Sequence, residues 1–402
     1  MNESRQRWWS LGIAALTLAA QNGVLMAFGA LYLPLLAAFP QGRGRVAGVQ
    51  SILSLLGGLG SPLVGLFLDR LGPRRLFQGG AILAALGLAS ASQVQSLPAL
   101  FLTYGLVAGL GLAALGSPPN MVVAAQWFPG GRGRAIALAD LGTALGAFLL
   151  VPFTQILIDG FGWRGALLVL GGLVLLLVVP ANAFQRLPLA SGDAARLPAA
   201  RGSLREAART PAFWWLVLLR FVSGIGFHLV NVHVIAFAVG TGIPALQAAA
   251  ALGAVSLVSV AGRMTVGWLA DRIGREVTLS LSYSSALLGI GCLYLLHATG
   301  WSGWLTAFVL AYGLAQGSAG IVSAAKAADL FSGPRFGTVF GWIALASGPG
   351  EAVGVWAGGA IFDRTGGYLP ALGFSALSLG AGILAIWMVG TRRSRSSRPT
   401  PP

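Results

Sequence analysis

The sequence predicts an all-α integral membrane protein of twelve spans, built as two six-helix halves related by a pseudo-two-fold axis. Three observations predict it. The chain is 56% hydrophobic and only 9% charged, against about 25% charged in soluble domains, which excludes a water-soluble fold. Apolar runs of about 20 residues recur along its whole length, enough to cross a bilayer core as helices. A pattern around residue 65 also returns around residue 267. Regularly alternating strands are absent from the sequence, which excludes a membrane barrel.

The runs fall at 10–36, 47–68, 76–95, 99–125, 135–158, 165–184, 212–238, 246–270, 277–298, 303–330, 338–361 and 368–390. Most of the 59 glycines lie inside these runs, where they allow helices to approach closely. Basic residues set the orientation. Arg5, Arg7, Arg70, Arg74, Arg75, Arg132, Arg134, Arg272 and Arg275, with the basic residues of 185–211 and of the tail, share one set of ends. Only Arg43, Arg45, Arg164 and Arg364 mark the other. Both termini are therefore expected in the cytoplasm, with the chain in the plasma (inner) membrane. The net charge of +15 is read as this topology signal, with contact to anionic membrane lipids and no nucleic-acid partner.

Residues 185–211 are polar, basic and broken by Pro and Gly, and are read as a cytoplasmic linker between halves 1–184 and 212–390. Residues 391–402 are read as a cytoplasmic tail. The first run is too long for a cleaved leader and is kept as helix 1. Cys292 lies within a span and supports neither a disulfide nor a metal site. The phosphate-cradling GxxxxGK[ST] loop and zinc-type spacing are both absent from the sequence. An enzyme, an ATP-driven pump, a metal and a cofactor are accordingly not expected.

Taken in order, the helices offer these polar groups. Helix 1 carries Gln21 and Asn22 beside a glycine, as a cavity pair or as packing hydrogen bonds. Helix 2 ends in "GLFLDRLGPRR", with Gly65, Asp69, Arg70 and Gly72. In helix 4, Pro118-Pro119 frees backbone carbonyls at membrane depth. Ser117 and Asn120 beside them either face the cavity or only accompany a kink. Asp140 stands toward the cytoplasmic end of helix 5. Helix 7 holds Arg220, His228, Asn231 and His233.

Helix 8 carries Arg263 inside an apolar run, with Ser256 and Ser259 seven and four residues before it on the same helical face. A membrane arginine costs about 3 kcal/mol or more and usually faces a cavity or a partner. Helix 8 then ends in "GWLADRIGR". Its Gly267, Asp271, Arg272 and Gly274 repeat Gly65, Asp69, Arg70 and Gly72 at a constant offset of 202 residues. In each copy the first Gly is expected to admit a neighbouring helix, Asp and Arg to bond helix ends, and the second Gly to turn the chain. The same offset pairs Arg263 with Ser61, so the repeat itself does not require a cation there. Helix 10 adds Tyr312 and Gln316 on one face, and helix 11 adds Glu351. Glu351 either pairs with Arg263, takes a proton, or caps or pairs structurally near the outer end. Lys326, Asp329 and Asp140 are placed with the two loops as a cytoplasmic gate, and Asp363 with Arg364 as an outer one.

The two loops resemble the signature of the major facilitator superfamily. "QWFPGGRGRAIALADLGTALG", "FGWRGALLVLGG", "RTPAFWW" and "GGAIFDRTGGY" are similar to its oxalate–formate antiporter and monocarboxylate porter branches. The resemblance implies a twelve-helix major facilitator fold and alternating access around a cavity lined mainly by helices 1, 4, 7 and 10. It implies that Arg263 holds a substrate carboxylate and that His233 occupies a polar, cavity-lining position. It also implies a second cation in helix 11 of oxalate-transporting members, where this chain has Gly348 and Pro349. The expectation is secondary transport of a small organic anion, with a monocarboxylate favoured, by proton symport or anion exchange, in a monomer. Arg263, Ser259, His233, Asn231, Asn120, Ser117, Gln21, Asn22, Tyr312 and Gln316 are the expected substrate contacts. Glu351 and His233 are the expected proton carriers. Efflux of lipophilic or cationic compounds is the alternative, although helix 5 lacks the glycine-proline run associated with drug–proton antiporters. A non-transporting sensor is a third reading, with no soluble signalling segment visible in the sequence.

Overall fold

The computed structural model describes residues 3–128, 131–186, 203–331 and 336–390. By length and composition, eight of the described helices can cross a bilayer, or nine if Arg43–Leu59 and Leu63–Ala91 form one bent span. Two of these long helices contain a turn. Gly72, at φ 74° and ψ 165°, divides the second and third spans. Gly162, at φ 68° and ψ 173°, divides the fifth and sixth. Dividing there, and adding the broken helix over 336–365, gives twelve spans among the described residues.

They are α1 (Glu3–Ala38), α2 (Arg43–Leu59 continued over 61–71), α3 (73–91), α4 (Leu97–Trp127), α5 (132–161) and α6 (163–182). The second half has α7 (Pro211–Gly240), α8 (Ala245–Ile273), α9 (Arg275–Thr299), α10 (Gly303–Leu330), α11 (336–365) and α12 (Leu369–Met388). A short helix, Ser203–Ala208, precedes α7 inside the stretch read as a linker. Residues 187–202 of that stretch and 391–402 of the expected tail lie outside the described residues. An even number of spans puts the start of α1 and the end of α12 on one face, called here the near face. Arg43 and Asp363 mark the far face.

Several spans break where the sequence supplies cause. In α4 the chain leaves helical geometry at Gly116, just before Pro118-Pro119. The amide of Asn120 donates to the carbonyls of Leu115 and Gly116 at 2.8 and 2.9 Å. It thereby serves the Leu115 carbonyl, which Pro119 has no N–H to reach. In α10 the break falls at Gln316 and Gly317, the latter at φ 91°. In α11 it falls at Ala346.

Small residues bring helices into backbone contact, as expected where lipid removes the hydrophobic drive between them. Gly142 and Gly146 of α5 lie on the backbone of Ala15 and Ala19 in α1. Gly350 and Gly354 of α11 lie on Phe221 and Ile225 of α7. Two of the seams that join the halves are built on glycine. One is α2 with α11, where Gly58 meets Gly348 backbone to backbone. The other is α5 with α8, where Gly253 meets Phe148. Toward the near face, Ser117–Trp127 packs mainly against α1, α3 and α5, and Ser318–Leu330 mainly against α7, α8 and α9. Those two segments thus stay within their own halves.

Candidate functional site

Arg263 is where the halves exchange charge. Its Nη1 pairs with the carboxylate of Asp140 on α5, and its Nη2 donates to Ser259 Oγ at 3.0 Å. Ser259 in turn donates to the carbonyl of Ser256 at 2.6 Å, so the polar stripe of α8 is a bonded chain. The side chains of Arg263 and Asp140 keep 26% and 22% of their surface exposed. The pair is thus not sealed in the packing. Gly317, at the break in α10, leaves room for the arginine stem, since a Cβ there would come within 3.0 Å of Arg263 Cδ. Irregular backbone at membrane depth is tolerated where it lines a polar site. One turn from Asp140, Thr143 accepts a bond from Asn22 of α1 through its carbonyl, at 2.8 Å. The site therefore draws on α1, α5, α8 and α10.

Other candidates go elsewhere. His233 lies on the far side of the molecule, about 10 Å along α7 from Gly240, whereas Arg263 lies about 27 Å along α8 from Ala245. His233 is 2% exposed. It bonds the carbonyl of Val355 through Nε2 at 2.9 Å and meets the ring of Tyr32 edge-on at 4.9 Å. Asn231 is buried nearby, and neither of its amide atoms has a hydrogen-bond partner. Asn120 is committed to the α4 break, and Tyr312 donates to the carbonyl of Phe227 at 3.1 Å. Ser117 and Gln21 are half-buried. Gln316 stands at the α10 break with its Oε1 unpartnered. Glu351 pairs with His228 at 3.4 Å, and not with Arg263 or His233.

The repeated loops do not join the halves in this state. Asp69 and Arg70 are exposed. Asp271 bonds Arg275 at 2.6 Å, and Arg272 covers the ring of Trp268 at 4.1 Å, both within the second half. Gly72 and Gly274 do turn the chain, at φ 74° and 94°. Gly65 and Gly267 differ from expectation: a Cβ at either would meet nothing within 4 Å, so no helix is pressed against them. Lys326 and Asp329 bond Glu276 and Arg275 of α9, inside the second half. Asp140, expected among these gate residues, instead holds Arg263.

The far face is closed by a cluster that straddles the halves. The Asp363 carboxylate accepts the backbone N–H groups of Arg43 and Gly44 at 2.8 and 2.9 Å, where α2 begins. Arg43 also donates to Tyr368 at 2.7 Å and lies over Phe362 at 3.8 Å. Ser51 of α2 donates to the carbonyl of Ala352 at 2.7 Å.

The sequence profile described as Major Facilitator Superfamily matches residues 13–331. The chain belongs to the major facilitator superfamily. Curated relatives include monocarboxylate transporter 13 of Rattus norvegicus, 30% identical over 364 residues that cover 90% of this chain and 84% of that protein. Monocarboxylate transporter 11 of Mus musculus is 33% identical over 324 residues, covering 77% and 71%. Among solved structures, an inward-facing, occupied bacterial homologue of the human lysosomal transporter Spinster superposes with a TM-score of 0.72 at 15% identity. That match covers 95% of this chain and 96% of the other. The fold is thus the twelve-helix facilitator fold, in a multi-pass membrane protein. The family and these relatives are transporters, not enzymes, and the class of partner is a small-molecule substrate.

Within this facilitator, Arg263 stands out in the sequence but its bond to Asp140 does not. The place of Asp363 at the outer end of α11 is likewise legible, and its partner Arg43 is not. Arg43 did carry a signal, as one of only four arginines on the far side.

Proposed function

We propose that this facilitator carries a small monocarboxylate across the plasma membrane by alternating access, with Arg263 as the anchor. The observation that carries the reading is the Arg263–Asp140 pair, part-exposed and spanning the two halves. A guanidinium binds a carboxylate through two parallel hydrogen bonds. In the empty protein Asp140 takes one arm of that fork, Nη1, and Ser259 the other, Nη2, so a substrate carboxylate competes with Asp140 for the guanidinium. Substrate then replaces a bond between the halves with a bond to itself, and binding is linked to rocking of the halves. Ser259 steadies the guanidinium from below, and Asn22 with Thr143 steadies the Asp140 turn.

A single anchor suits one carboxylate. Position 348, where a second cation is implied for oxalate carriers, is a glycine pressed on Gly58, with no room for a long side chain. The monocarboxylate transporters among the relatives support the same substrate class. In this reading the near face is cytoplasmic, both termini lie there, and the protein works as a monomer.

The test is uptake of radiolabelled lactate, pyruvate and acetate into proteoliposomes, with thermal shift of the purified protein by the same acids. The expected result is saturable uptake that Arg263→Ala removes while the variant remains folded and inserted. Unchanged carboxylate uptake by Arg263→Ala overturns the reading. Resistance to lipophilic cations conferred on an efflux-deficient host, without carboxylate uptake, replaces it with export.

A further inference from the structure

A second charged cluster lies at mid-membrane, away from Arg263. Gly224 of α7 is pressed against Ser347, Gly350 and the backbone of Glu351 on α11. Arg220 and His228 stand one turn to either side of Gly224 on the same face of α7. The contact therefore delivers the Glu351 side chain between them. Glu351 Oε2 lies 3.4 Å from His228 Nε2. From Val222 to Ala238, every residue but His228 is buried. His228 and Glu351 each keep 22% of their side-chain surface open. An ionisable pair this deep in a bilayer is costly and is by default a functional one.

The surroundings leave this pair as the group free to change charge. Tyr283 of α9 bonds Ser223. From α10, Lys326 is committed to Glu276 and Tyr312 to the Phe227 carbonyl. From α8, Arg263 is committed to Asp140. α12 has no ionisable group over Leu369–Met388, α2 none between Arg45 and Asp69, and α1 none between Arg7 and Tyr32.

We infer that His228, held against Glu351, carries a coupling proton for the carboxylate bound at Arg263, without touching that carboxylate. The inference rests on the carboxylate reading above. Its logic is charge balance. Arg263 with Asp140 is neutral, and so is Arg220 with Glu351. A carboxylate on Arg263 displaces Asp140 and leaves one negative charge in excess. One proton on His228 cancels it, and the loaded protein crosses between states with no net charge added. Unloading the carboxylate on the other side removes that compensation, and the proton leaves with it. Imidazole suits this duty because it changes charge near neutral pH.

The test uses wild type, His228→Gln and Glu351→Gln in proteoliposomes with radiolabelled lactate and pyruvate. Two quantities are compared: exchange at equal pH, and accumulation driven by a pH gradient. One-to-one symport across one pH unit accumulates substrate about tenfold. Wild type is expected to do so. Both variants are expected to lose gradient-driven accumulation relative to exchange, a ratio that simple loss of folded protein would leave unchanged. Persistence of that accumulation in both variants overturns the inference. Its loss in Asp140→Asn alone moves the proton to Asp140 and also overturns it. If wild type exchanges neither acid, the carboxylate reading fails, and the histidine signals of purified protein in nanodiscs still decide the proton site. The His228 ring is expected to bind a proton on acidification in a manner altered by Glu351→Gln. A ring indifferent to both rejects the assignment.

Discussion

Arg263 and Asp140 hold each other across the seam while both remain a quarter exposed, so each depends on the other for its neutrality. Asp140→Asn removes a charge-assisted bond, and the ligand-free protein is expected to lose about 2 kcal/mol in a detergent melting experiment. Arg263→Lys keeps the charge but loses the planar fork. Carboxylate affinity is expected to fall about tenfold or more, measured as a rise in half-saturating substrate. Lys326 presents a sterner case, because it is 5% exposed and relies on Glu276. Glu276→Gln strands that ammonium, with an expected cost of about 3 kcal/mol on the same melting assay. Arg263 was legible in the sequence because a charge in an apolar run needs a reason and its repeat twin is Ser61. Its partner was not, since Asp140 lies 123 residues away and in the other half. The histidines show the same limit. His228 and His233 are five residues apart and both on α7, and only the seating of Gly224 on α11 shows which of them meets Glu351.

At the scale of the element, breaks in the spans are what place polar groups at depth. Asn120 stitches the α4 break through two bonds to main-chain carbonyls. Asn120→Ala leaves both acceptors without that donor, and is expected to lower stability by about 1–3 kcal/mol. Melting of the purified variant checks this. Pro118-Pro119 announced the α4 break in the sequence, because proline withholds a donor. The α10 break at Gly317 was hidden among 59 glycines, most of which continue a helix or line a seam. For the same reason the loops were only half legible. A glycine that turns the chain, such as Gly72, reads the same as Gly65, which meets no neighbour.

At the scale of the whole molecule, the repeat offset of 202 residues announced the two halves, but no local pattern tells which face is shut. The structure shuts the far face through Asp363, Arg43 and Tyr368, and leaves the repeated loops unjoined at the near one. Asp363→Asn weakens the hold on the start of α2. It is expected to open the far face for a larger share of the time. A cysteine placed at Ser51, in a Cys292→Ser background, should then react faster with an impermeant thiol reagent added from the far side. Equal reactivity with and without Asp363→Asn would deny the seal this role. Between the two faces, Gly58 and Gly348 touch with bare backbone, beside the breaks in α2 and α11. Interdigitated side chains would make the seam a ratchet, moving only in notches of one helical turn. Two smooth surfaces make it a bearing instead. At that contact the halves can roll without displacing a side chain, and a single added methyl group on either glycine would act as a wedge.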